Sequence, residues 1–268
     1  MRHSKYLPDS LEQEIIDKYY FILSRDPSKL RLLFEKAERR AIEKMAMIHS
    51  FRMEHPELRV PFCIPRNGGR RNIKKGLENL RGAFRWGSRN FNPGDFNEQF
   101  LREIAYRVLP EIYQGSTAEY RNTGTNITGA TTTPPYPEKL ILKEIPAFER
   151  SLKKRLVSPY PTNAVENAIY AHFHIARIHP FIDGNGRTAR LVQDVILNKS
   201  SFPPPVIESG ERDTYYSLLD KAVYDWKSQN NWNAEGLVTE GERAFYTFMA
   251  GKINVSLDKL ACAYSHSH

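Results

Sequence analysis

"HPFIDGNGRTAR" runs from His179 to Arg190 and sets a histidine, a carboxylate, a Gly-Asn-Gly turn and two arginines within twelve residues. The flanking apolar pattern reads as helix on both sides: "TNAVENAIYAHFHIARI" (162–178) before it and "RTARLVQDVILNK" (187–199) after it. Thr162 suits the N-cap of the first helix, and Pro203, Pro204 and Pro205 stop the second. Gly184, Asn185 and Gly186 therefore fall at a helix N-terminus, where free N–H groups and the positive dipole end favour an anion. Glycines there permit positive φ and let a phosphate approach the backbone. Arg187 and Arg190 are three apart, project from one side, and can pair with two different phosphates. Asp183 offers a hard oxygen ligand suited to Mg²⁺, and His179 can take a proton near neutral pH. Singly these residues are a turn, a helix stop and surface charges. Jointly they are the parts of a nucleotide-dependent transfer site.

Other readings of the segment fail on spacing. No G-x-x-x-x-G-K-[ST] is present, so this is not a Walker loop. His172 and His174 sit two apart on a helix and point about 200° apart, so His172, His174 and His179 cannot share a zinc ion.

Moving outward, the first ninety residues have a helical pattern. "SLEQEIIDKYYFILSRD" (10–26) places Leu11, Ile15, Tyr19 and Leu23 on one stripe, and "PSKLRLLFEKAERRAIEKMAMIHSFRME" (27–54) continues as helix to about His55-Pro56. "HPELRVPFCIPRNGG" (55–69) reads as loop, followed by helices over "NIKKGLENLRGAFRW" (72–86) and "DFNEQFLREIAYRVLPEIYQ" (95–114). The Thr- and Gly-rich "EYRNTGTNITGATTTPPYP" (119–137) has the composition of a short hairpin and loop. Helix returns over 138–156, 212–229 and 240–264. The expected fold is mainly α with one short β-hairpin, divided as an N-terminal helical region (1–90), a core (91–230) and a C-terminal helical extension (231–268).

Composition narrows the function classes. With 268 residues, 40% hydrophobic and 12% aromatic, the chain is globular, and no apolar run spans a membrane. The N-terminus lacks a signal-peptide pattern, and two cysteines, Cys63 and Cys262, suggest a reducing compartment, so a cytoplasmic location is expected. The net charge of +8 gathers at "RNGGRRNIKK" (66–75) and "LKKRL" (152–156). These runs read as solvated faces. No nucleic-acid-binding signature accompanies them, so a nucleic-acid partner is not expected.

The twelve-residue stretch resembles the Fic signature, H-x-F, an acidic residue, then G-N-x-R-x-x-R, at every defined position. "EYRNTGTNITGATTTPPYPEKL" (119–140) is similar to the Fic flap, with Arg121, Ile127, Gly129 and the double proline at family-like spacing, and "NIKKGLENL" (72–80) resembles the helix that precedes the core. The resemblance implies a Fic-type helical core and transfer of AMP from ATP to a Tyr, Ser or Thr hydroxyl of a target protein. It implies His179 as base, Asp183 as Mg²⁺ ligand, Gly184, Asn185 and Gly186 as phosphate cradle, and Arg187 and Arg190 on the outer phosphates. Phe181 would anchor the loop, and Thr125, Asn126, Ile127, Thr128 and Gly129 would hold the target as an added strand. Tyr215 and Tyr216 are candidates for the adenine pocket or for the core. A relative transferring another phosphate-containing group, or a non-catalytic binding module, is the alternative, and a homodimer is left open.

Many Fic proteins also carry an inhibitory helix reading [ST]-x-x-x-E-[GN], whose glutamate pairs with the second arginine of the signature. Ser10/Glu14, Ser50/Glu54 and Thr162/Glu166 have the spacing. Thr162/Glu166 completes the pattern but lies in the scaffold helix leading to His179. Ser50/Glu54 departs from it at His55 but ends a long helix ahead of "NIKKGLENL", with Met53 as apolar neighbour, so the inhibitory role is expected there.

Overall fold

The computed structural model describes residues 5–24, 29–54, 69–157, 161–229 and 238–265. Its helices are α1 (Asp9–Leu23), α2 (Lys29–Glu54), α3 (Gly69–Asn90), α4 (Glu98–Val108), α5 (Pro137–Lys139), α6 (Ile145–Leu156), α7 (Pro161–Ile178), α8 (Asn185–Lys199), α9 (Arg212–Ser228) and α10 (Glu240–Ser265). A π-helical turn, Leu140–Glu144, joins α5 to α6. Cys63 and the 55–68 part of the expected loop lie outside the described residues.

The fold is built around α7 and α8, which pack against each other at the centre. From Val165 to Ile178 every residue of α7 is buried, and α8 is buried from Arg187 to Leu197. A helix buried on all sides must be covered by others, and here α1, α6 and α10 pack on α7 while α3 and α4 pack on α8. Phe91, Phe96, Phe100 and Phe148 fill the space beside α4 and α6 with ring centroids 5.4 to 6.1 Å apart. The π turn sends Glu144 inward, where it meets Arg177 of α7 at 3.0 Å, and Arg177 lies 3.8 Å over the Trp226 ring.

Three expectations need correction. Among the described residues there is no β-strand, and 119–136 is an extended arm with one turn, closed by the Ala130 N–H on the Ile127 carbonyl at 3.1 Å. Pro134 and Pro135 supply no N–H for a ladder, and side chains hold the arm instead: Asp220 accepts from the Thr131 N–H at 2.9 Å, and Lys227 donates to the Thr133 carbonyl. Thr162 is not a cap, because α7 begins at Pro161, whose fixed φ suits a first helical position. The basic run at 152–156 is not wholly a solvated face, since Arg155 lies 4.3 Å over the Tyr170 ring and bonds the Tyr6 hydroxyl at 3.2 Å.

α9 is seated against α10 at Gly241, where an added Cβ would stand 2.9 Å from both Ala222 Cα and the Lys221 carbonyl oxygen. Gly241→Ala should therefore cost about 1–3 kcal/mol in urea denaturation, because backbone cannot yield as a side chain can. Gly82→Ala in α3, where nothing lies within 4 Å, should instead be neutral or stabilise by about 0.5–1 kcal/mol.

Candidate active site

The α7–α8 connection reverses the chain in six residues, 179–184. Two of them adopt left-handed backbone: His179, with φ 52°, and Gly184, with φ 77°. Only the glycine does so freely. Asn185 closes the loop from inside. Its side-chain oxygen accepts the Phe181 N–H and its side-chain nitrogen donates to the Phe181 carbonyl, both at 2.8 Å. Phe181 itself is fully buried beneath the loop. No side chain caps α8, which leaves the N–H groups of Asn185 and Gly186 open in its first turn, while the Gly184 N–H donates to Asp183 Oδ1.

His179 lines a cleft of about 1080 Å³ together with Asp183, Gly186 and Arg190. Its Nδ1 sits 3.3 Å from the Ala176 carbonyl, which can only accept, so Nδ1 carries the hydrogen and Nε2 keeps its lone pair. Burial holds the imidazole pKa below the ordinary histidine value. The Ala176 carbonyl opposes this shift, and the Arg121 charge reinforces it. A histidine in this state is neutral and able to accept a proton.

Asp183 leaves its side chain 65% exposed, accepts from the Gly184 N–H, and lies 3.6 Å from Arg187. Among the described residues no group of three or more His, Cys, Asp or Glu could hold a metal unaided. A lone accessible carboxylate does fit Mg²⁺, which keeps several waters and takes the rest of its ligands from phosphates.

Arg190 is buried and reaches across to α2. Its Nε donates to Ser50 Oγ at 2.8 Å, and its Nη2 to the Ser50 carbonyl at 3.1 Å and to Glu54 Oε1 at 2.6 Å. Burial works against the Arg190 charge, but Glu54 outweighs it and holds the guanidinium pKa above its ordinary value. Two guanidinium nitrogens, Nη1 of Arg190 and Nε of Arg187, are buried with no hydrogen-bond partner among the described residues. Buried donors left open beside bare helix N–H groups are what an oxyanion ligand would fill.

Tyr215 and Tyr216 both border the cleft, but Tyr215 is also core. Its hydroxyl meets His172 Nε2 at 2.7 Å, and His172 Nδ1 meets the Gln193 side-chain oxygen at 2.7 Å. Burial drives the His172 pKa down to about 3, so it stays neutral, donates through Nδ1, and accepts from Tyr215. Of the arm, Asn126, Ile127, Thr128 and Gly129 line the cleft, and Thr125 does not. Glu14 pairs with Lys18 on exposed α1, and Glu166 is buried in α7, so neither reaches the loop.

Sequence reasoning missed Arg212 and Asp220, which also line the cleft. Arg212 donates to the Met53 carbonyl at 3.0 Å and lies 4.9 Å over the Tyr216 ring. Nothing in its local sequence separates it from any helix-starting arginine.

Residues 95–197 match the model of the Fic/DOC family. That segment, which holds the loop, α7 and most of α8, is similar to a Fic domain. Over 120 residues it is 38% identical to the protein adenylyltransferase Fic of Nematostella vectensis, covering 45% of this chain and 27% of that one. The same-named protein of Drosophila persimilis is 37% identical over 122 residues, or 46% and 23% of the two chains. The match thus spans about a quarter of these relatives' length. The fold beyond the Fic domain is shared too. A Fic domain containing signaling protein from Bacteroides thetaiotaomicron superposes with TM-score 0.75 at 19% identity, over 95% of this chain and 98% of that one. Fic-1 from C. elegans gives 0.71 at 19%, over 97% and 73%. None of the described helices is long and apolar enough to cross a membrane.

The loop's closure gives a stability test. Asn185→Asp replaces a donor facing the Phe181 carbonyl with a second acceptor, leaving buried groups unpaired. It should lower unfolding free energy by about 1–3 kcal/mol, read in urea denaturation.

Proposed function

We propose that this chain transfers AMP from ATP to a Tyr, Ser or Thr hydroxyl of a protein, with pyrophosphate leaving. The observation that carries this is the neutral His179, whose Nε2 lone pair shares one cleft with Asn185 and Gly186 at the N-terminus of α8 and with Arg190, whose Nη1 is unfilled. The adenylyltransferase names of the relatives support the same chemistry.

In this reading the triphosphate rests on the N–H groups of Asn185 and Gly186, joined by that of Gly184 once Asp183 turns from it, with Arg187 and Arg190 on its outer phosphates. His179 Nε2 takes the proton of the acceptor hydroxyl as that oxygen forms its bond to the α-phosphorus. The bond from the α-phosphorus to the oxygen bridging to the β-phosphate breaks, and pyrophosphate carries away the electron pair. Asp183 would hold Mg²⁺, which when bound neutralises charge building on the phosphates. Tyr216 and the cleft-facing edge of the buried Tyr215 border the space left for the adenine. Apart from the Ile127 carbonyl, the backbone of 125–129 forms no hydrogen bond to other main chain among the described residues, and it can accept a target segment as an added strand.

Glu54 is the brake in this reading. It occupies the Arg190 donors that an outer phosphate requires, and its Oε1 lies 2.7 Å from where a Cβ on Gly186 would stand, over the phosphate cradle itself. Arg212 steadies the end of α2 through the Met53 carbonyl.

Incubation with α-labelled and γ-labelled ATP tests the reaction. Label from the α position alone is expected on protein, whereas γ label alone would mark a kinase. His179→Ala should lower transfer by about 10²–10⁴-fold while ATP binding persists. A hydrogen bond between charged groups is worth about 1.5–3 kcal/mol, so Glu54→Gly should raise self-modification about tenfold or more, and Glu14→Gly and Glu166→Gly should not.

A further inference from the structure

Arg121 is 2% exposed, and among the described residues no carboxylate pairs with it. Its guanidinium is spent on main-chain carbonyls: Nε on His179 at 2.7 Å, Nη1 on Thr123 at 2.8 Å, and Nη2 on Pro135. Its own N–H donates to the Pro180 carbonyl at 2.9 Å. A buried cation without a counter-ion is costly, and burial does pull the Arg121 pKa down. Such a group is retained where its geometry matters more than its cost.

The three carbonyls belong to three places. Thr123 is the stem where the arm leaves the core, Pro135 is the stem where it returns, and His179 is the proton acceptor. His179 also holds a left-handed backbone, φ 52°, which a non-glycine residue keeps only when its surroundings enforce it. One planar fork therefore grips both ends of the arm and the strained residue opposite it.

We infer that Arg121 is a positioning residue that locks both stems of the 123–135 arm to the main chain of His179, fixing the distance between an arm-held hydroxyl and the imidazole. The catalytic use of the lock rests on the function proposed above; the lock itself does not. A lysine ammonium gathers its donors on one nitrogen and cannot span the three carbonyls as the planar fork does. The charges facing the imidazole are Arg121 from the arm, Glu54 from α2 and Asp183 from the loop, with the Ala176 carbonyl of α7 on Nδ1. Of these, Arg121 favours the neutral form and the others favour the charged one.

The test uses the full chain carrying Glu54→Gly, with α-labelled ATP and self-modification as readout. Adding Arg121→Lys should lower the transfer rate by roughly thirtyfold or more, within the hundredfold that a displacement of about 1 Å can cost. ATP affinity, measured by calorimetry, should stay within about twofold, since Arg121 does not touch the α8 N-terminus. Arg121→Gln should in addition shift the acid limb of the rate profile to higher pH, and Arg121→Lys, which keeps the charge, should not. Hydrogen exchange should quicken over 123–135 and at His179 in both variants while α8 stays protected. A lysine variant at the parental rate, a loss of ATP binding in step with the rate, or unchanged exchange would each overturn the inference. If the Glu54→Gly parent transfers no AMP, the proposed function has failed, and the exchange pattern alone still decides whether Arg121 is the lock.

Discussion

A reversal between two buried helices governs this molecule. α7 and α8 can pack along their full length only if the chain turns back within six residues, 179–184. Such a turn would leave main-chain groups buried and unpaired, and the Asn185 side chain prevents that by holding both polar groups of Phe181. The same closure strains His179 and presents the α8 N-terminus to the cleft. Reactive geometry here is a by-product of joining two core helices tightly.

The helices were legible because their periodicity was strong, and the loop because its residue types are unusual in combination. The contact of Glu54 with Arg190 was legible too. The carboxylate does lie 2.6 Å from Arg190, although His55 breaks the pattern, because the contact needs only Ser50 and Glu54 on one face of α2. The arm was misread because threonines and glycines suggest paired strands, while the pairing partners are side chains: its own Arg121 and the distant Asp220 and Lys227. Local composition cannot report those. Tyr215 stayed ambiguous for a related reason, since one ring faces the cleft and the core together, and only the His172–Gln193 chain behind it shows how it is held.

The electrostatics are lopsided. Arg121, Arg187 and Arg190 are all buried near the loop, yet among the described residues only Arg190 of these three meets a carboxylate at close range, Glu54 at 2.6 Å, while the exposed Asp183 lies 3.6 Å from Arg187. A surplus of buried positive charge is tolerable when carbonyls, or a visiting anion, complete the solvation. The core thus holds open a place for negative charge, and α2 supplies some of it.

Gly186 has a consequence for how the chain can vary. The backbone there is bare, so any side chain at 186 would meet the Glu54 carboxylate at 2.7 Å and Arg190 at 3.3 Å. Bulk that evicts the carboxylate from the loop side also closes the approach for any other anion. If Glu54 restrains the loop as proposed, substitutions that free the loop without spoiling it are confined to α2 and its moorings, a separate segment of the gene.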